Sequence, residues 1–168
     1  ARLGLPGVGR FQEASLSANL GSRPASPFNF DLRLAGFDGV DRPGLLKRLN
    51  VRVAGTRRQH SLRADTEVGG RYQIELAAEG GLADDLARPR WDGALTQAKV
   101  SAPERIRSFA LAQPAPLALG GNAWRVGPLD LDGEAWKLRL AAEAGAQRGL
   151  LDAALHGPRL GRIEAHLE

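Results

Sequence analysis

One short pattern recurs through this chain and limits what it can become: a few residues alternate strictly between apolar and polar, and a glycine follows. Phe28, Phe30, Leu32 and Leu34 alternate with Asn29, Asp31 and Arg33 ahead of Gly36, and Leu49, Val51 and Val53 alternate with Asn50 and Arg52 ahead of Gly55. The same grammar carries Tyr72, Ile74, Leu76 and Ala78 ahead of Gly80. It continues through Leu129 and Leu131 ahead of Gly133. Leu138 and Leu140 precede Gly145, Leu155 precedes Gly157, and Ile163 lies in the closing run. Period two sends alternate side chains to opposite faces of a strand, so each run predicts a strand with one apolar face and one polar face. The glycines are expected to end the strands.

A one-sided sheet needs a cover, ordinarily a layer of amphipathic helices or a second sheet. No stretch holds apolar residues at i, i+3, i+4 and i+7 for the length of a normal helix. Only residues 43–49 and 82–87 carry enough helical spacing to suggest a turn or two, and Pro or Gly interrupts both. The expectation is an all-β fold with few or no helices, in which the sheet covers itself by closing, by folding over, or by wrapping something else.

Composition narrows this further. The 168 residues are 43% hydrophobic and 25% charged, as in an ordinary folded domain, so disorder is not expected and residues 1–168 read as a single unit. Only 5% are aromatic, so Leu and Ala carry most of the apolar face. Such a lining is smooth and does not fill a dense core. The chain starts at Ala1, contains no Met and ends within an alternating run, which reads as a segment of a longer repetitive protein.

The net charge is +4, yet the 23 Lys and Arg are spread over polar strand positions among 19 acids. No basic stripe interleaves with aromatics, so a solvated outer face is expected, with no nucleic-acid partner. Without cysteine there is no disulfide, thiolate metal site or Cys nucleophile. No run of eighteen apolar residues provides a membrane span. His60, His156 and His166 are far apart and lack a second ligand at metal spacing, so structural or solvated positions are expected for them. Gly4, Gly7 and Gly9 have no following helix to make an anion site and read as a turn. Asp84 and Asp85 point apart in extended chain, and no Gly-x-Ser-x-Gly occurs. Neither an enzyme nor a cofactor or metal site is expected.

From residue 55 onward the runs fall into an order. His60, Leu62 and Ala64 lead to Tyr72, Ile74 and Leu76, then Gly81, Leu82, Arg88 and Pro89, then Trp91, Gly93 and Leu95. Phe109, Leu111, Gln113, Pro114, Ala115, Pro116, Leu117 and Leu119 follow, then Val126, Leu129, Leu131, Trp136 and Leu138. This series resembles the TamB family, the inner-membrane-anchored subunit of the translocation and assembly module of Gram-negative bacteria, in the middle-to-late part of its periplasmic repeat domain. Residues 1–54 share only the repeat grammar. Family members often carry Cys just before the tryptophan corresponding to Trp136 and again in the next strand. Ala135 and the cysteine-free strand here remove any redox role.

The resemblance implies a tapered sheet folded lengthwise into an open apolar trough, in the periplasm, passing phospholipid between inner and outer membranes. It also implies a role in outer-membrane protein assembly with a TamA-like outer-membrane partner reached through the full-length chain. Eighteen apolar residues would then line the trough against acyl chains: Leu32, Leu34, Val51, Val53, Leu62, Ile74, Leu76, Leu95, Phe109, Leu111, Leu117, Leu119, Leu129, Leu131, Leu138, Leu140, Leu155 and Ile163. Two other readings stand beside it: a chaperone-like scaffold pairing with client strands through its edges, and a closed β domain with a dry core.

Overall fold

A computed structural model describes residues 3–5, 9–21, 23, 25–39, 43–83, 90–103, 108–121, 123–144, 149–157 and 161–167, of which 3–5, 9–10, 38–39, 43–45 and 161–167 are described by backbone alone. Every regular element among them is a strand: β1 (Leu3–Leu5), β2 (Gly9–Asn19), β3 (Phe28–Gly39), β4 (Pro43–Gly55), β5 (His60–Val68), β6 (Tyr72–Leu82), β7 (Arg90–Ser101), β8 (Phe109–Leu111), β9 (Ala115–Gly120), β10 (Ala123–Gly133), β11 (Lys137–Ala144), β12 (Gly149–Gly157) and β13 (Gly161–Leu167). All belong to one antiparallel sheet, and strands adjacent in sequence are adjacent in space. The one departure is between β7 and β10, where β8 and β9 each pair with both neighbours and share a single place in the sheet. The Ala112–Gln113–Pro114 break separates them, and Pro114 has no N–H to continue a ladder.

This order follows from short connections between long alternating runs, since antiparallel neighbours need only a turn. Gly69 and Gly70, both at positive φ (59° and 65°), open the three-residue connection, 69–71, from β5 to β6, a conformation that suits glycine at both positions. Hydrogen bonding leaves β1 and β13 with one neighbour each among the described residues, so the pairing path is open at both ends.

Two expectations are corrected. Residues 43–49 are the first half of β4, not a helical turn. Leu46, Lys47 and Arg48 hold a register slip against β5, and the extra residue stretches the apolar spacing from two to three, which mimics the start of a helix. Glycine also does not always end a strand. Gly55, Gly133 and Gly157 are terminal residues, but β3 runs through Gly36 to Gly39 and β6 runs through Gly80 to Leu82. Gly36 takes a φ of 62°, turning the chain inside the strand without breaking it. Gly4 lies in β1 and Gly9 opens β2. Gly7, Asp84, Asp85, Arg88, Pro89, Gly145 and the expected turn over 82–87 beyond Ala83 lie outside the described residues.

Little of this sheet is buried. Among the described residues only Ala78 (6%) and Ala115 (0%) are buried apolar residues, and no large side chain is fully enclosed. A compact chain of 17.9 kDa exposes about 8,000 Å², whereas this one exposes 11806 Å². Among the described residues the closest backbone approaches between strands are those of hydrogen-bonded neighbours.

Candidate functional site

In an antiparallel ladder, residues directly opposite one another share a face, so the register can be followed across the sheet. Leu16, Leu32, Val51, Ala64, Leu76 and Ala98 form one continuous row over six strands. Ala18, Phe30, Val53, Leu62, Ala78, Leu95 and Ala115 form the next. Ala14, Leu34, Leu49, Thr66, Ile74, Val100 and Phe109 form a third. Beyond the β8/β9 break the rows resume as Leu117–Val126–Ala142–Leu151, as Leu119–Trp124–Ala144 and as Leu129–Leu140–Ala153. A last row runs Leu111, Leu131, Leu138, Leu155 and the register position of Ile163, whose side chain is outside the described residues.

All eighteen apolar positions singled out in the sequence therefore fall on one face. No Asp, Glu, Lys or Arg stands at a paired position of these rows. Most of its side chains are partly buried, and some are exposed, Leu76 at 39%, Leu119 at 45% and Leu16 at 64%.

The opposite face is built from charge. Arg52 Nε donates to Asp31 Oδ1 at 2.8 Å, Arg125 Nε to Glu143 Oε2 at 2.9 Å, and Asn50 Nδ2 to Asp65 Oδ2 at 2.8 Å. Arg139 faces Asp130 and Lys137 faces Asp132 at 3.7 Å and 3.6 Å. Each of these pairs sits on directly opposed residues of neighbouring strands. Exposed pairs of this kind contribute about 0–1 kcal/mol apiece. They fix register and keep that face in water more than they add stability.

Keeping the apolar side chains on one face requires corrections that alternation alone does not supply. Register shifts lie between Leu46 and Arg48, between Ala77 and Ala78 opposite Leu95 to Gln97, and between Val126 and Leu129. At each, the apolar spacing lengthens from two to three: Leu46 to Leu49, Leu95 to Ala98, Val126 to Leu129. One inserted residue takes up the slip, and Gly127 at a φ of 97° accommodates the last. The signal was present in the sequence as the change of interval.

Aromatic residues collect near the strand ends and sit on glycines. A side chain at Gly80 or Gly93 would lie 2.5 Å or 2.6 Å from the Trp91 indole, so that ring occupies the space their missing side chains leave. Trp91 Nε1–H donates to His60 Nε2 at 2.7 Å, and His60 Nδ1 is 3.1 Å from the Thr56 carbonyl oxygen. The Phe28 ring lies 5.5 Å from the His60 ring. At the other ends of the strands, Trp136 covers Gly133 and stacks obliquely on Phe109 at 5.5 Å. His60 thus lies among Trp91, Thr56 and Phe28. The glycine seats went unread because each joins residues from different strands.

Among the described residues no three His, Cys, Asp or Glu side chains gather where they could hold a metal ion. No helix there is long and apolar enough to cross a membrane. Compared with protein families, characterised proteins and solved structures, the chain matches none of them.

Proposed function

We propose that this chain is a segment of a TamB-like periplasmic protein, its sheet curled lengthwise so that the apolar face lines an open trough for phospholipid acyl chains. The single observation that carries the reading is the unbroken, uncharged and half-exposed apolar face running from β2 to β12. An exposed apolar patch of more than a few hundred Å² marks an interaction surface. The bulges at Lys47, Thr96 and Gly127 support curling, because a bulge bends its strand and adds twist. An acyl chain gains about 0.8 kcal/mol per methylene on entering apolar surroundings, and leaving a bilayer costs a similar amount. Transfer between membrane and trough is then nearly balanced, as loading and unloading both require. A TamA-like outer-membrane partner and a part in outer-membrane protein assembly belong to the same proposal, through the full-length protein.

The test is Leu119→Arg together with Leu131→Arg in the full-length protein, placing two charges on the apolar face. Phospholipid traffic between the membranes should stop while strand content and protease resistance stay unchanged. Normal traffic through a folded double variant contradicts the conduit.

The open ends of the pairing path favour a second reading, a scaffold that adds client strands at β1 or β13. It expects concentration-dependent self-association of this chain by sedimentation. A strict monomer at high concentration removes it. The closed, dry core of the third reading is less favoured, since Ala78 and Ala115 are the buried apolar side chains among the described residues.

A further inference from the structure

We propose that His60 is a proton-sensitive latch that holds Trp91 down on the glycine seat at one rim of the apolar face. The chemistry of the two rings forces the coupling. An indole N–H can only donate, so the 2.7 Å bond from Trp91 Nε1 requires an unprotonated Nε2 on His60. The Thr56 carbonyl oxygen can only accept, so Nδ1 carries the ring's hydrogen toward it at 3.1 Å. Both nitrogens are committed, and the tautomer is fixed by its partners. A second proton can be added only at Nε2, where it faces the indole N–H and breaks that bond.

What the latch restrains is also defined. Trp91 is the second residue of β7 and lies across Gly80 of β6 and Gly93 of its own strand, on the face that holds Leu95 and Ala78. Its ring centroid lies 6.2 Å from that of His60, which Phe28 of β3 contacts from the other side at 5.5 Å. Released from His60, the indole keeps its apolar contact with the glycines but loses the one polar bond that fixes its orientation. The indole N–H then becomes accessible to water at the rim.

The charged groups around His60 come from every neighbouring element. Arg58 of the β4–β5 turn, Glu79 of β6 and Asp92 of β7 line, with His60 and Ser61, a cavity of about 610 Å³. Arg90 closes on Asp92 at 2.7 Å. Glu79, paired with Ser61, and Asp92 stand one position off the row of His60, Gly80 and Gly93, so their side chains belong to the opposite face of the sheet.

The latch holds whether or not the apolar face carries lipid, and its test uses the 168-residue chain without any ligand. Proton NMR between about pH 8 and pH 5, the interval in which histidine serves as a charge switch, follows the His60 ring carbons and the indole N–H resonances of Trp91 and Trp136. The Trp91 resonance should move with the same midpoint as His60, and its solvent exchange relative to Trp136 should rise about fivefold, the factor for a hydrogen bond of ~1 kcal/mol. Trp136, which rests on Gly133 with Phe109 beside it, is the internal reference and should stay in place. His60→Gln should abolish the pH dependence of Trp91, with far-UV circular dichroism checking that the sheet remains. A Trp91 resonance that ignores the titration of His60 overturns the proposal. So does a His60 that does not titrate in this interval.

Discussion

The two faces of this sheet are made by the same strands, one residue out of step, and they solve opposite problems. On the charged face, Asp31 with Arg52, Asp130 with Arg139 and Glu143 with Arg125 are paired across strands although water is available to all of them. On the apolar face, Leu32 with Val51, Leu129 with Leu140 and Leu138 with Leu155 are aligned just as closely, and each of these side chains is only partly buried. Register gives the charged face its cross-strand partners. It gives the apolar face neighbours along each row and leaves its side chains partly exposed. Hydrophobic stabilisation scales with apolar area removed from water, so this face has more to gain from an external apolar partner than from any rearrangement of the strands.

Substitutions that reach through the backbone should break this contrast most severely. Gly93→Ala places a methyl 2.7 Å from the Gly80 Cα and 2.6 Å from the Trp91 ring, and closer still to the Glu79 carbonyl. Two strands would have to part, so a loss of about 2–4 kcal/mol in chemical denaturation is expected. Gly133→Ala meets only ring atoms of Trp136, the nearest at 2.5 Å, and the ring can shift. Its cost should be smaller, about 1–2 kcal/mol, with loss of the Phe109 contact seen by near-UV circular dichroism.

Single changes within the faces rank below these. Leu138→Ala removes a half-buried side chain with row neighbours on both sides, and about 1–2 kcal/mol should be lost, below the usual cost for an enclosed leucine. Arg52→Ala should cost no more than about 0.2–1 kcal/mol, since its side chain is 61% exposed and its bond to Asp31 is screened by water. A larger loss from Arg52 than from Leu138 would mean that charge pairing, not the apolar rows, holds the strands together.

Much of this contrast was legible in the alternation itself. Leu32 and Leu34, or Leu138 and Leu140, announce their face by spacing alone, and short turns make sequence neighbours pair. The bulges were harder to read because an interval of three is also the helical interval, and Leu46 to Leu49 was misread for that reason. The seats of Trp91 and Trp136 were invisible for a different cause. Trp-x-Gly within β7 puts ring and gap on one face, but that the ring also spans Gly80 depends on β6 pairing with β7 in one particular register. The hydrogen bond to His60 depends on β5 as well. Lateral juxtaposition over three strands has no local signature.

The central claim is that the apolar face, and not the charged one, takes up acyl chains. Photo-crosslinking amino acids at Leu76, Leu119 and Leu131, compared with the same probes at Gln73, Arg139 and Asp130, test it directly in the full-length protein in its membranes. The two sets are separated by the thickness of the sheet and by a single residue of register. The account predicts phospholipid adducts from the first set and none from the second. Equal capture from both faces, or capture from neither while the protein remains folded, would contradict it.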